Sequence, residues 1–413
     1  MQSLCILGRQ PSIGIAELES LYGSSRITPI SNIAALIDID PCLLAFDRLG
    51  GSIKFCKVLT ALETDKWEDI EKFLIEASPE HAKEMGGGKM NIGLSLYGLK
   101  IDPRRLIRAG LSLKKAIRVT GKSVRVVPNK ELALSSAQVI YNKLTGPNGW
   151  EIVLIVDNKR TIVAQTVREQ NINSYSLRDR DRPKRDSRVG MLPPKLAQII
   201  INLATGELTK DQLETICDTP EGAPLPKPKF NQLILDPFCG TGVILQEALL
   251  MGYQVTGSDI DQRMIDYTSD NLKWLSTTFL RDNFEDTVLK VGDATSFAWD
   301  QVPKFIASEA YLGQPFTSQP SDAEISQNIA TTNIIIKKSL QNIARQTPSG
   351  TRICIAIPAY HTPRGDFKHL PLIDSIEELG YNRMSFKHLS NGELLYFREQ
   401  QIVARELLVI TRK

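Results

Sequence analysis

A chain of 413 residues has room for two or three domains with cores of their own, and 42% apolar with 23% charged residues is an ordinary globular composition. The net charge of +3 is too small to announce a nucleic-acid partner, so any such reading must rest on where the charges lie. Six scattered cysteines without a C-x-x-C pair, four histidines without metal spacing and the lack of an 18-residue apolar run exclude a disulfide framework, a metal site and a membrane span, and predict a soluble cytoplasmic protein.

In chain order, "GIAELESLYG" (14–23) predicts a short helix ending at Gly23, and "IAALIDID" (33–40) a strand. Over 103–118, Leu106, Gly110, Leu113 and Ile117 recur at helical spacing. Arg104, Arg108, Lys115 and Arg118 fall on the other face, with Arg125 and Lys130 following, and form a candidate phosphate-binding surface. "SVRVVP" reads as a strand and "SSAQVIYNKL" as a helix opened by a serine cap. "EIVLIV" and "TIVAQTV" read as two strands turned by "DNKR". The stretch 176–188, "SLRDRDRPKRDSR", sets six cations against three aspartates. Alternating signs favour internal bracing for some of these arginines, while Arg178, Arg182 and Arg185 remain candidates for RNA contact. "GMLPPKLAQIIINLA" then predicts a helix with prolines at its start, and 219–229 a proline-rich loop.

From residue 231 strands alternate with helices: "QLILDPF", "YQVTGSD", "TVLKVGD", "KFIASEA" and "RICIAIPA". That alternation predicts a mostly parallel sheet covered on both faces, closed by an antiparallel hairpin of "ELLYFREQ" and "VARELLVITR". The expected fold class is α/β, in the class I methyltransferase version of the doubly wound fold. "LILDPFCGTGVILQEAL" supplies a strand, a glycine turn at Gly240 and Gly242, and a helix. No Gly-Lys-Ser/Thr makes it a P-loop, and Leu245 stands where a dinucleotide fingerprint needs its third glycine. Asp236, Asp259 and Asp293 follow three successive strands; Asp236 or a backbone carbonyl can meet an ammonium, Asp259 two ribose hydroxyls and Asp293 an adenine amino group. The pattern fits S-adenosylmethionine better than a pyrophosphate.

Downstream lies "FIASEAYLGQPF" (305–316). Methylating an exocyclic amine requires acceptors for its N–H groups, which free a delocalised lone pair, and a ring stacked on the base. Ser308 is a candidate acceptor, Glu309 a second acceptor or the group that takes the proton, and Tyr311 the stacking ring.

"YSLRDRDRPKRDSRVGMLPPKLAQIIINLA" followed by "LDPFCGTGVILQEALLMGYQVTGSDID" resembles the THUMP-domain tRNA guanine-N2-methyltransferases that act on guanosine 10. "GKSVRVVPNKELALSSAQVIYNKL" and "LLYFREQQIVARELLVI" are similar to their THUMP module and closing hairpin. The resemblance implies an α+β N-terminal domain (1–60), a THUMP-like RNA-binding module (61–170), a basic linker (171–189) and a methyltransferase domain (190–413). It implies S-adenosylmethionine bound by Asp236, Gly240, Gly242, Asp259 and Asp293, with Phe238, Cys239, Thr241, Ile260 and Ala294 beside them. Met191 and Pro194 of "MLPPK" border the same pocket, and tRNA is the implied partner. Where that family carries Asp-Pro-Pro-Tyr this chain aligns Ser308-Glu309-Ala310-Tyr311, which leaves two other readings open: a tRNA-binding protein that keeps the pocket without turnover, and a DNA amino-methyltransferase. A need for a small activating subunit is not readable from the sequence.

Overall fold

The computed structural model describes residues 2–186, 191–217, 230–280, 287–316, 320–362, 366–398 and 401–413. The proline-rich stretch 219–229 lies outside them, as do Ser187 and Arg188 of the joining stretch. The chain forms two compact units, one of residues 1–11, 25–47 and 52–172, the other of 12–24, 48–51 and 173–413. None of the described helices is long and apolar enough to cross a membrane.

The first unit is built on one eight-stranded sheet. Its strands are β1 (Ser3–Leu7), β2 (Ile27–Ile30), β3 (Ala34–Ile37), β4 (Ser52–Leu62), β5 (Met90–Tyr97), β6 (Val124–Val126), β7 (Gly149–Asp157) and β8 (Arg160–Glu169), in the order β2-β3-β1-β4-β8-β7-β5-β6. Helix α1 (Pro11–Tyr22) follows β1 in sequence, but all of it beyond Pro11 belongs to the second unit. Helices α2 (Trp67–Glu84), α3 (Pro103–Arg118) and the short α4 (Ser136–Tyr141) complete the first. The expected boundary at residue 60 falls inside β4, which pairs with β1 on one edge and β8 on the other. Pairing therefore joins 1–60 to 61–170 as one sheet.

Local expectations hold where the signal is local. α3 occupies 103–118, capped by the Asp102 side chain, and buries Leu106, Ala109, Gly110, Leu113 and Ile117. A Cβ on Gly110 would come within 2.7 Å of Val126 Cγ1, so only glycine lets this helix lie so close to β6. Ser135 and Gln138 form a reciprocal cap on α4. Asn158 and Lys159, both at positive φ, turn β7 into β8.

A buried charge cluster crosses this sheet. Lys54 Nζ lies 2.5 Å from Glu151 Oε1 and 3.7 Å from Glu169, with all three side chains almost fully buried. Glu151 also accepts from Ser95 Oγ and Thr166 Oγ1, both at 2.6 Å. Burial pushes the Glu169 carboxyl up to about 7, which lets one ammonium serve two acids.

The second unit holds the parallel sheet. After α5 (Ile172–Ser176) come α6 (Pro194–Thr205), α7 (Lys210–Cys217), β9 (Leu233–Asp236), α8 (Val243–Leu250), β10 (Gln254–Asp259), α9 (Gln262–Leu275), β11 (Val288–Val291), β12 (Phe305–Glu309), α10 (Asp322–Gln346), β13 (Arg352–His361), β14 (Phe367–Lys368), β15 (Tyr381–Arg383), β16 (Leu395–Tyr396) and β17 (Val403–Arg412). The order is β11-β10-β9-β12-β13-β17-β15, parallel from β11 to β13. β17 runs antiparallel between β13 and β15. The expected closing hairpin is reduced to Leu395–Tyr396 against β17, because β13 holds nine residues of that strand and β15 shares its other edge. Strand order reverses between β9 and β12, so a crevice opens beyond their carboxyl ends.

α1 is held within this unit by a buried acid. Glu17 accepts from the amides of Gly50 and Gly51 at 2.9 and 2.8 Å and from Asn202 Nδ2 at 2.7 Å. Arg48 donates to Asn202 Oδ1 and to the Tyr253 hydroxyl. Polar side chains thus bring residues 12–24 and 48–51 onto α6.

Replacing Lys54 by Met is expected to strand Glu151 without a counter-charge and to lower stability by about 3–5 kcal/mol. Urea denaturation of the variant checks this; a loss below about 1 kcal/mol would mean that the cluster is not held by its charge.

Candidate active site

The glycine turn after β9 is set by its neighbours on α9. Gly242 lies at φ +80°, and a Cβ there would come within 2.7 Å of Thr268 Cγ2, so the turn demands glycine twice over. Thr268 Oγ1 donates to the Gly240 carbonyl at 2.7 Å, and Asn271 Nδ2 to the Thr241 carbonyl at 2.8 Å. Asn271 also exchanges two hydrogen bonds with the Lys184 backbone, both at 2.9 Å, so one side chain holds the joining stretch and the turn. Asp259 Oδ2 accepts from the Gly240 amide at 3.0 Å, which ties β10 to the same loop.

These elements border a cleft of about 590 Å³. Of the residues read from the sequence, Asp236, Phe238, Cys239, Gly240, Thr241, Asp259, Ile260, Asp293 and Ala294 line it, and Gly242 does not. Met191 is exposed and Pro194 buried in the first turn of α6; Leu192, between them, is the residue of this turn that reaches the cleft. Asp293 sits two residues past β11, where its Oδ1 caps the Thr295 amide at 2.9 Å. Asp261, which also lines the cleft, had been legible only as part of "GSDID".

Among the described residues the lining bears five carboxyl groups, Asp236, Asp259, Asp261, Asp293 and Glu309, and no lysine or arginine. Asp236 is the most buried of them. Its Oδ1 accepts from Ser308 Oγ at 2.6 Å and from the Phe238 amide at 3.2 Å, which leaves Oδ2 for a ligand. Burial first, then the nearby charges of Asp259 and Glu309, push its carboxyl up to about 7. Burial raises Asp259 as well. Among the described residues, no group of three or more His, Cys, Asp or Glu side chains is placed to hold a metal.

The loop after β12 corrects one sequence expectation. Ser308 is fully buried and its hydroxyl is engaged by Asp236, so it does not face a substrate amine. The strand ends one residue later, and Glu309 is the side chain that enters the cleft, because successive residues of a strand point to opposite faces. Its Oε1 is ion-paired with Arg405 Nε from β17, a residue that had gone unread. Tyr311 lines the cleft half-buried, and burial raises its hydroxyl above the ordinary range. The backbone beyond is pinned by Ala310 N to the Ala356 carbonyl at 2.9 Å and by two bonds between Gln314 and Asn328, both at 3.0 Å.

Arg178 and Arg182 are also corrected. Arg178 is buried, donates to Glu247 Oε1 at 2.6 Å and stacks 4.6 Å from the Tyr175 ring centroid. Arg182 is 2% exposed. Neither offers its cation to a phosphate: packing against α8 has turned this part of the stretch inward, while Arg185 stays exposed. In the first unit Arg104, Arg108, Lys115 and Arg118 are all exposed on α3, as are Arg125 and Lys130, whereas Arg105 on the same helix pairs with Glu68 at 2.6 Å.

No family model matches the chain. It is 32% identical over 171 residues to a tRNA (guanine(10)-N2)-dimethyltransferase of Methanothermobacter thermautotrophicus, covering 41% of this chain and 40% of that protein. To the protein of the same name from Pyrococcus abyssi it is 28% identical over 225 residues, 54% of each. The chain thus spans about two-fifths to one-half of these relatives. Among solved structures, TrmN from Thermus thermophilus aligns over the whole of both chains with TM-score 0.50 and 13% identity. A possible methylase from Clostridium difficile 630 aligns over 100% of this chain and 98% of its own with TM-score 0.51 and 11% identity. At such identity these likenesses carry the fold alone, and the fold is that of the class I methyltransferases.

Because its folded pKa is raised, Asp236 keeps a proton that the unfolded chain releases, so it lowers stability as pH rises from about 4 to 7. Asp236→Asn is therefore expected to gain stability over the parent by a few kcal/mol at pH 8, with the gain fading toward pH 4. Denaturation at both pH values checks this, and a difference that does not change with pH would refute it.

Proposed function

We propose that the chain is an S-adenosylmethionine-dependent methyltransferase of the cytoplasm that modifies the exocyclic N2 of a guanosine in tRNA. The observation that carries this reading is the charge of the cleft. Five carboxyl groups line the cleft against two arginines outside the lining, Arg405 on Glu309 and Arg263 on Asp261, and this excess of acid disfavours a pyrophosphate and favours a ligand that bears an ammonium and a sulfonium. Asp236 Oδ2 is the group for the ammonium, Asp259 for the ribose hydroxyls and Asp293 for the adenine amine, with exposed Ile260 offering apolar surface to the adenine ring. The names of the relatives support guanosine 10 as the target.

The bound cofactor supplies an electrophilic methyl carbon, which gains its bond to nitrogen from the amine lone pair as the carbon–sulfur pair leaves with sulfur. Glu309 accepts an amine N–H, which localises that lone pair, and takes the surplus proton after transfer. Tyr311 stacks on the guanine and sets the line of attack. In this reading residues 61–170 of the first unit are a THUMP-like module that meets tRNA through the basic face of α3.

Purified protein, labelled S-adenosylmethionine and unmodified bulk tRNA, followed by nucleoside mass spectrometry, tests the proposal: labelled N2-methyl- or N2,N2-dimethylguanosine is expected. Cofactor binding with no label in any nucleoside would leave a tRNA-binding protein with a retained pocket. Changing Arg104 and Arg108 together to Glu is expected to weaken tRNA binding at least tenfold and flatten its salt dependence, with cofactor affinity unchanged. Filter binding at several salt concentrations gives the answer, and unchanged affinity would remove this face from the model.

A further inference from the structure

Glu309 has three side-chain torsions, and the residues after it, Ala310 and Tyr311, give its backbone no proline rigidity. Four other carboxyl groups share its cleft and repel its charge. An acceptor in that position needs something to hold it. The Arg405 guanidinium meets Glu309 Oε1 through Nε, with the side chains only 8% and 14% exposed. Both residues sit on paired backbone: Glu309 lies opposite Ala356, and Arg405 lies between Pro358 of β13 and Tyr396 of β16.

We propose that Arg405 is a positioning residue that fixes the Glu309 carboxylate for the amine and so does the work left undone by the absent prolines. The inference rests on the methyl-transfer reading of this cleft. One oxygen is held by the arginine and Oε2 is left for the substrate N–H. The guanidinium is a permanent cation whose planar fork suits a carboxylate, so the pair fixes where that carboxylate lies. A buried guanidinium already bonded to Glu309 is not a phosphate site, so its part is played through the carboxylate.

The test is a double-mutant cycle of Arg405→Met and Glu309→Gln, with Arg405→Lys as the conservative variant. Single-turnover methylation of tRNA and S-adenosylhomocysteine affinity are measured for each. Arg405→Met is expected to slow transfer about 100-fold, the scale of a misplaced reacting group, with cofactor affinity within about twofold. Arg405→Lys should restore part of the rate, and in the Glu309→Gln background the loss of Arg405 should cost nothing more. Losses that multiply, or an Arg405→Met protein that turns over like the parent, overturn the proposal. If the parent labels no nucleoside, the functional reading fails by itself. The same cycle, read as binding of guanosine 5′-monophosphate to protein saturated with S-adenosylhomocysteine, still decides the role of Arg405: affinity that falls only while Glu309 is present supports it, and affinity indifferent to Arg405 sinks it.

Discussion

An acid buried at the end of β9 without a counter-charge is the constraint around which the second unit is arranged. Burial strips Asp236 of water and no cation among the described residues answers it, so its proton is retained up to about pH 7. The Ser308 hydroxyl below and the Phe238 amide beside it fix one oxygen. The glycine turn and Asp259 close around the other side of the same space. In the proposed reading a cationic ligand would offset the cost of burying Asp236 on binding, which is how a fold shared by many chemistries would become selective for it.

The same acid logic recurs elsewhere with a different outcome. Glu17 and Glu169 are also pushed up to about 7 by burial, yet Glu17 is encircled by three N–H donors and Glu169 shares Lys54 with Glu151. Those two acids are answered inside the protein and hold secondary structure together. Of these three acids Asp236 is the one that borders a cleft, and in the proposed reading that difference separates a structural carboxyl from a binding one.

Much of this was legible. The glycine turn, the alternation of strands and helices, α3 with its two faces and the β7–β8 hairpin are local patterns written in consecutive residues. Other elements were hidden by composition: α2 carries Pro79 inside it, and β4, "SIKFCKVLTAL", mixes lysines into a strand whose partners lie more than a hundred residues away on one edge. The site's misreadings share one cause. Sequence names residue types but not the direction in which they point, and in a strand one residue reverses that direction. Ser308 turns away from the cleft on that account, while Glu309 reaches it. Arg178 looked like a surface cation among alternating charges because its partner, Glu247, is 69 positions away. Arg405 was invisible for the same reason, since 96 residues separate it from Glu309.

The position of β17 carries a consequence for the order of events in synthesis. It follows every other strand of its sheet in sequence yet lies inside that sheet, between β13 and β15. Until residues 403–412 have left the ribosome, β13 keeps one whole edge unpaired, in a form open to mispairing. The strand that seals that edge also delivers Arg405 to Glu309. Closure of the sheet and completion of the cleft are therefore one late step, and a nascent chain cannot possess the finished site before it possesses the finished fold.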